Sequence, residues 1–266
     1  MSITIERIEG RDVLVGILGL GYVGLPLASA FLDAGFRVLG FDTDAAKIES
    51  LERGENYLKH LGQEMTRTMR DSDRFEATTD FDRLGEPDAV LLCVPTPLGE
   101  HREPDLSYVE QSTEMVAKTL RKDQLVVLES TTYPGTTREL MGAILERGGM
   151  KAGEDFLLAY SPEREDPGRQ GVTTSSIPKL VGGTCERSTD LSFRLYDAAI
   201  ASVHRVDSAE VAEAAKLTEN IFRAVNIALV NELKVIYDAM GIDVWEVLDA
   251  AATKPFGYMK FTPGPG

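Results

Sequence analysis

Gly19, Gly21 and Gly24 stand at G-x-G-x-x-G spacing in "GLGYVG", and Asp42 follows Gly24 by 18 residues. These types at this spacing suit a dinucleotide. Gly19 permits a tight turn, Gly21 lets the backbone approach a pyrophosphate, and Gly24 lets a helix pack closely on a strand. An acid at the position of Asp42 can accept hydrogen bonds from both ribose hydroxyls of NAD and repels the 2′-phosphate of NADP. Three further polar turns carry candidate groups: Thr96 in "CVPTP", Thr131 and Thr132 in "ESTTYPGTT", and Glu163, Arg164 and Glu165 in "YSPERED". Singly, each reads equally as ordinary turn chemistry. Lys216, Asn220 and Arg223 recur at i, i+4 and i+7, the spacing of one helix face, among Ala212, Ala214, Ala215 and Ala224. Such a face is ordinarily just solvated. A lysine, an amide and a guanidinium in a row also suit an anionic, hydroxyl-rich ligand or a catalytic water, and a lysine can stabilise a developing oxyanion.

The elements that must position these groups follow from hydrophobic patterning. Short apolar runs at 13–19, 37–42, 88–94, 124–130 and 156–161 read as buried strands, with further strands at 178–183 and near "SVHRV". Helical patterns lie between them at 24–34, 107–120, 135–148 and 186–200. Strand, helix, strand within about thirty residues is a βαβ unit, and such units cross over right-handed into a parallel sheet. The expected fold is α/β, a doubly wound Rossmann-like domain over 1–207. In such sheets ligands sit beyond the carboxyl ends of the strands, so the polar turns converge on one edge. From 208 to 240 the chain reads as one long helix, starting at Ser208 without a full capping box and stopping at Gly241. A short helix capped by Asp243 follows, and 208–266 reads as the start of a helical second domain.

A formal charge of −15 argues against a general nucleic-acid or membrane-surface binder, both of which need a basic footprint. It leaves room for an anionic small molecule, since helix N-termini and a few local cations hold a phosphate. Two cysteines, Cys93 and Cys185, form neither a metal-ligand pair nor a disulfide framework. No apolar h-region opens the chain and no run is long enough to span a membrane. The expectation is a soluble protein of a reducing compartment, the cytoplasm, with no metal.

In order, "GLGYVGLPLA", "VPTPL", "ESTTYPGTT", "YSPERE", "KLVGG" and "KLTENIFRAVNIALVNEL" resemble the UDP-glucose/GDP-mannose dehydrogenase family, the nucleotide-sugar 6-dehydrogenases. Within it, "YSPEREDPG" and "AAATKPFG" resemble the UDP-N-acetylglucosamine 6-dehydrogenases of surface-polysaccharide synthesis. The resemblance implies oxidation of a UDP-sugar C6 alcohol to a carboxylate with two NAD⁺ in succession, by a homodimer built on the long helix. Gly19, Gly21, Gly24 and Asp42 would bind NAD, with Tyr22 and Val23 lining the turn. Thr96, Thr131 and Glu165 would close over the cofactor, and Thr131 would help to position a water. Glu163 would act near C6 in the acyl-transfer half. Lys216 would stabilise oxyanion character, Asn220 would support it, and Arg223 would lie close to the substrate.

The resemblance also implies that a "GGHCIPxDP" motif with a nucleophilic cysteine follows "PGPG". The chain stops at Gly266, so the expectation is an N-terminal portion without that thiol. Three other readings stand beside this one: a UDP-glucose or UDP-N-acetylmannosamine dehydrogenase, a dehydrogenase of the β-hydroxyacid or 6-phosphogluconate type, and a nucleotide-binding module without catalysis.

Overall fold

The computed structural model describes residues 2–58, 62–101, 103–164 and 177–264. They form two compact units, Met1–Ala214 and Ala215–Gly266. Eight strands, β1 (Leu14–Leu18), β2 (Arg37–Phe41), β3 (Phe75–Thr78), β4 (Ala89–Leu92), β5 (Leu125–Leu128), β6 (Leu157–Tyr160), β7 (Lys179–Gly183) and β8 (Val203–Arg205), make one sheet in the order β3-β2-β1-β4-β5-β6-β7-β8. The described helices are α1 (Ile5–Glu9), α2 (Gly24–Asp33), α3 (Ala45–Glu52), α4 (Gln63–Asp71), α5 (Ser107–Thr119), α6 (Gly142–Leu145), α7 (Glu186–Asp197), α8 (Ala209–Ala239) and α9 (Val244–Ala252).

The continuous apolar strands are explained by burial on both faces, as in parallel sheets covered twice by helices. Val15, Ile17, Leu91, Val127 and Ala159 face one core with Phe31 of α2 and Leu195 of α7. Leu18, Leu92, Val126, Leu128 and Leu158 face the other with Val109 and Val116 of α5 and Ala209 and Ala212 of α8. This is the doubly wound α/β fold that the strand and helix pattern implies.

Three features depart from that pattern. β7 runs antiparallel to β6, Tyr160 opposite Gly182. A parallel neighbour needs a long crossover, usually helical, and a reversed one does not. β3, α3 and α4 occupy a stretch whose weak apolar signal predicts no elements: β3 is an edge strand with an exposed Glu76, and α4 buries only Thr66 and Met69. Residues 135–148, expected as one helix, start with Gly135 as a left-handed cap and form a wide π turn over Thr136–Met141, then α6, then a tight turn over Glu146–Gly148.

In the second unit, Val230 of α8 packs with Val244 and Leu248 of α9. Asp243 caps α9 by accepting from the Trp245 N–H at 2.9 Å. At the end of the first unit, Ser208 Oγ accepts from the Val211 N–H at 3.4 Å, so α8 has a side-chain cap without a capping box.

Candidate functional site

The strand order reverses between β1 and β4, and the crevice at that switch point is where open α/β sheets hold ligands. The turn after β1 fits the crevice only as glycine. Gly19 has φ +94°, and a Cβ there would lie 2.5 Å from the Cys93 carbonyl oxygen. A Cβ on Gly24 would lie 1.8 Å from the Gly19 carbonyl oxygen. Gly21 differs: a Cβ there would meet nothing within 4 Å, so its backbone faces open space. α2 starts at Gly24 with no acid in its first turn, leaving the positive end of its dipole uncancelled by a local carboxylate.

That open space is a cavity of about 640 Å³, lined by Gly19, Gly21, Tyr22, Val23, Asp42 and Lys47, by the end of β4 and by α5. Asp42 is 7% exposed. Its Oδ2 accepts from the Leu20 N–H at 2.9 Å and from Lys47 Nζ at 2.9 Å, and its Oδ1 from the Asp44 N–H at 3.0 Å. A carboxylate oxygen has two acceptor positions, and among the described residues Oδ1 takes one donor. The bare Gly21 backbone, the helix N-terminus and this carboxylate fit a dinucleotide, with its pyrophosphate at the turn and a ribose at Asp42.

The turns after β4 and β5 are stitched together on the same sheet edge. Thr96 Oγ1 donates to the Thr131 carbonyl at 2.9 Å, and Ser130 Oγ to the Val94 carbonyl at 2.6 Å. Thr131 is half-buried, while Thr132 is buried with no partner for its hydroxyl among the described residues. Beyond β6, the Glu163 N–H donates to the Glu129 carbonyl at 3.2 Å. Glu163, Arg164, Val23, Glu129 and Lys179 line one small void of about 10 Å³, which brings Glu163 beside the start of α2. Glu165 lies outside the described residues.

Under Glu163 sits a buried charged pair. Lys179 Nζ is 2.6 Å from Glu129 Oε2 and 3.3 Å from the Pro162 carbonyl, and Tyr196 donates to Glu129 Oε1. Burial pushes the Glu129 carboxyl up, against the opposing pull of Lys179. Cys93 is buried beside them, and burial raises its thiol well above the ordinary range. Cys185 caps the N-terminus of α7, accepting from the Ser188 N–H. Cys93 is therefore not set up as a thiolate nucleophile, and the Cys185 sulfur serves as a helix cap.

Lys216, Asn220 and Arg223 belong to the second unit and share one face of α8; Lys216 is 8% exposed and the other two are exposed. One turn before Lys216, Glu213 is buried within the first unit. It accepts from the Gly135 N–H at 2.7 Å, the Thr137 N–H at 2.9 Å and the Thr137 hydroxyl at 2.7 Å. A carboxylate is thus held by the N-terminal amides of the 136–148 segment, where orphan donors need a partner.

Sequence reasoning missed Lys47, Glu129, Lys179 and Glu213. A signal existed for two of them. Glu129 and Lys179 are charges inside apolar strand runs, "LVVLES" and "IPKLVGG", which is costly unless they pair. Lys47 and Glu213 look like ordinary helix-surface residues until the fold brings their partners up.

Residues 13–200 match the NAD-binding domain of the UDP-glucose/GDP-mannose dehydrogenase family, and residues 210–266 match its central domain. Among relatives, the UDP-N-acetyl-D-glucosamine 6-dehydrogenase of Pseudomonas aeruginosa is 39% identical over 96% of this chain and 60% of its own length. The UDP-N-acetyl-D-mannosamine dehydrogenase of Pyrococcus horikoshii is 33% identical over 95% of this chain and 60% of its own. A solved structure of the UDP-D-ManNAc dehydrogenase from Pyrococcus horikoshii superposes with a TM-score of 0.86, covering 94% of this chain and 60% of that one. The chain thus spans about 60% of the length of the curated relatives it matches. With its glycine turn, Asp42 and switch-point cavity in the matched NAD-binding domain, the chain belongs to the UDP-glucose/GDP-mannose dehydrogenase family.

Proposed function

We propose that the protein serves the NAD-dependent oxidation of the C6 alcohol of a UDP-sugar, UDP-N-acetylglucosamine, to the uronic acid in surface-polysaccharide synthesis. The observation that carries this reading is the clustering of polar groups in the first unit. The dinucleotide turn, the tied Thr96 and Thr131 turns and Glu163 all lie at the carboxyl ends of β1, β4, β5 and β6. The "YSPERE" and "AAATKPFG" stretches and the Pseudomonas aeruginosa relative support the N-acetylglucosamine substrate.

Bound NAD⁺ accepts a hydride in each of two oxidations, alcohol to aldehyde and aldehyde level to acid. Each oxidation also releases a proton, and water supplies the second carboxylate oxygen. In this reading Gly19, Gly21, Tyr22, Val23, Gly24, Asp42, Thr96, Thr131 and Glu165 hold the cofactor. Thr131 orients the water and Glu163 takes its proton in the hydrolytic half. Lys216 stabilises the oxyanion that develops at C6, Asn220 holds Lys216, and Arg223 contacts the substrate. The protein is read as a cytoplasmic homodimer, joined along α8 by the exposed Ile221, Val225, Leu229 and Ile236.

Since Cys93 and Cys185 are both set in structural positions, the 266-residue chain should bind NAD and form no uronic acid. The test incubates this chain, and a version extended to the length of its relatives, with NAD⁺ and a panel of UDP-sugars. NADH formation by the extended version with UDP-N-acetylglucosamine is expected. Preference for UDP-N-acetylmannosamine or UDP-glucose would replace the sugar, and turnover of a hydroxyacid would overturn the reading. Detection of UDP-N-acetylglucosaminuronic acid from the 266-residue chain alone would show that the nucleophile lies within it.

A further inference from the structure

Leu20, the residue between the first two glycines of the turn, is anchored at three points. Its buried side chain fills the space beside Gly40, where a Cβ would come within 2.9 Å of Leu20 Cδ2. Its N–H donates to Asp42 Oδ2 at 2.9 Å. Its carbonyl accepts from the Tyr57 hydroxyl at 2.7 Å. The first two anchors come from β2 and its end, within the βαβ unit itself. Tyr57 comes from the segment beyond α3.

The third anchor matters because of what shares its peptide plane. A trans peptide holds the C=O of one residue and the N–H of the next pointing in opposite directions. Fixing the Leu20 carbonyl towards Tyr57 therefore aims the Gly21 N–H away from Tyr57. Gly21 lines the cavity and has nothing near its Cβ position, so no side chain of its own restricts rotation of that peptide. Tyr57 also carries Leu58, a wall of the same cavity, and the Asn56 side chain accepts from the Leu58 N–H at 2.8 Å to shape the segment.

We infer that Tyr57 is a positioning residue for the cofactor: its hydroxyl sets the Leu20–Gly21 peptide in the orientation that receives the pyrophosphate, and NAD affinity depends on that hydrogen bond. Burial, with the nearby charges of Asp42 and Asp44, holds the phenol protonated well above its ordinary range. The group is thus a standing donor over the working pH range.

The test uses the 266-residue chain and its Tyr57→Phe variant, which keeps the ring and its packing. NADH and adenosine are titrated by fluorescence and competition, and thermal midpoints are recorded so that titrations run well below them. The variant is expected to bind NADH about threefold to tenfold more weakly, the worth of one hydrogen bond. Adenosine, which has no pyrophosphate, is expected to bind within about twofold of the parent, well short of that loss. An unchanged NADH affinity overturns the inference whatever the midpoint does. An equal loss for adenosine also overturns it, because a merely structural role weakens both. If the parent itself fails to bind NADH, the cofactor site falls and this inference with it; if only the variant's affinity is unchanged, the site stands.

Discussion

The Thr96 hydroxyl donates to the main-chain carbonyl of Thr131 at 2.9 Å, tying the turn after β4 to the turn after β5. A hydroxyl spent on a neighbouring backbone is a strut for that backbone. Thr96→Val keeps the shape and removes the donor, so it should loosen Thr131 and weaken NADH binding by about threefold to tenfold. Thr96→Ser should restore most of the affinity. Fluorescence titration of the three proteins decides, and equal affinities would remove Thr96 from the site.

Asp42 lines the cavity with Lys47 at 2.9 Å, where the proposed site places a ribose. The chain should therefore prefer NADH to NADPH. Asp42→Asn should weaken NADH by about tenfold. It should also narrow the gap to NADPH, since it uncovers the Lys47 ammonium where a 2′-phosphate would lie. Parallel titrations with both cofactors test this, and tighter NADPH binding by the parent would contradict it.

Glu213→Ala leaves two buried main-chain N–H groups, Gly135 and Thr137, without their acceptor. Each such group costs about 1–3 kcal/mol, so the loss should be about 2–6 kcal/mol. For a domain of this size that lowers the melting midpoint by roughly 4–24 °C. Calorimetry measures it; a fall under about 2 °C would mean that water replaces the carboxylate.

Arg138 holds Glu210 in a partly exposed ion pair, and the Glu210 carboxyl is lowered from 4.5 to about 2. The folded value lies below the unfolded one. The pair's stabilisation is therefore fully present above about 4.5 and is lost as pH falls through about 2. Solvent screening at this exposure keeps it near 1 kcal/mol. Glu210→Gln should lower stability by that amount at neutral pH, with the difference from the parent closing between these two values. Chemical denaturation across that range is the check, and a difference independent of pH would refute the ion-pair account.

Ile221, Val225, Leu229 and Ile236 form an exposed apolar row on α8. Rows of this kind mark protein contacts. The proposed dimer predicts a doubled mass by light scattering at micromolar concentration, and Leu229→Glu should return a monomer by placing a charge in the row. A parent that is already monomeric would overturn the dimer.

Much of the fold was legible because its signals are local. The runs at 13–19, 37–42, 88–94, 124–130 and 156–161 are apolar without alternation, as strands covered on both faces must be, and they became β1, β2, β4, β5 and β6. β3 and α4 were not legible, because an edge strand and a surface helix bury too few side chains to leave a period. The direction of β7 was not legible either, since an apolar run carries no record of which way it enters a sheet.

By itself the sequence determined the dinucleotide turn and its strand–helix setting, because a backbone that must turn tightly and admit a helix at close range tolerates only glycine at Gly19 and Gly24. It also determined the family, through six ordered motifs. Tertiary structure alone decided which polar groups meet. Glu129 with Lys179, Thr96 with Thr131, Glu213 with Gly135 and Tyr57 with Leu20 lie 50, 35, 78 and 37 positions apart. Hydrogen bonds and ion pairs act over about 3 Å. No spacing along the chain encodes contacts of that reach, which exist only once the sheet has brought its strand ends to one edge.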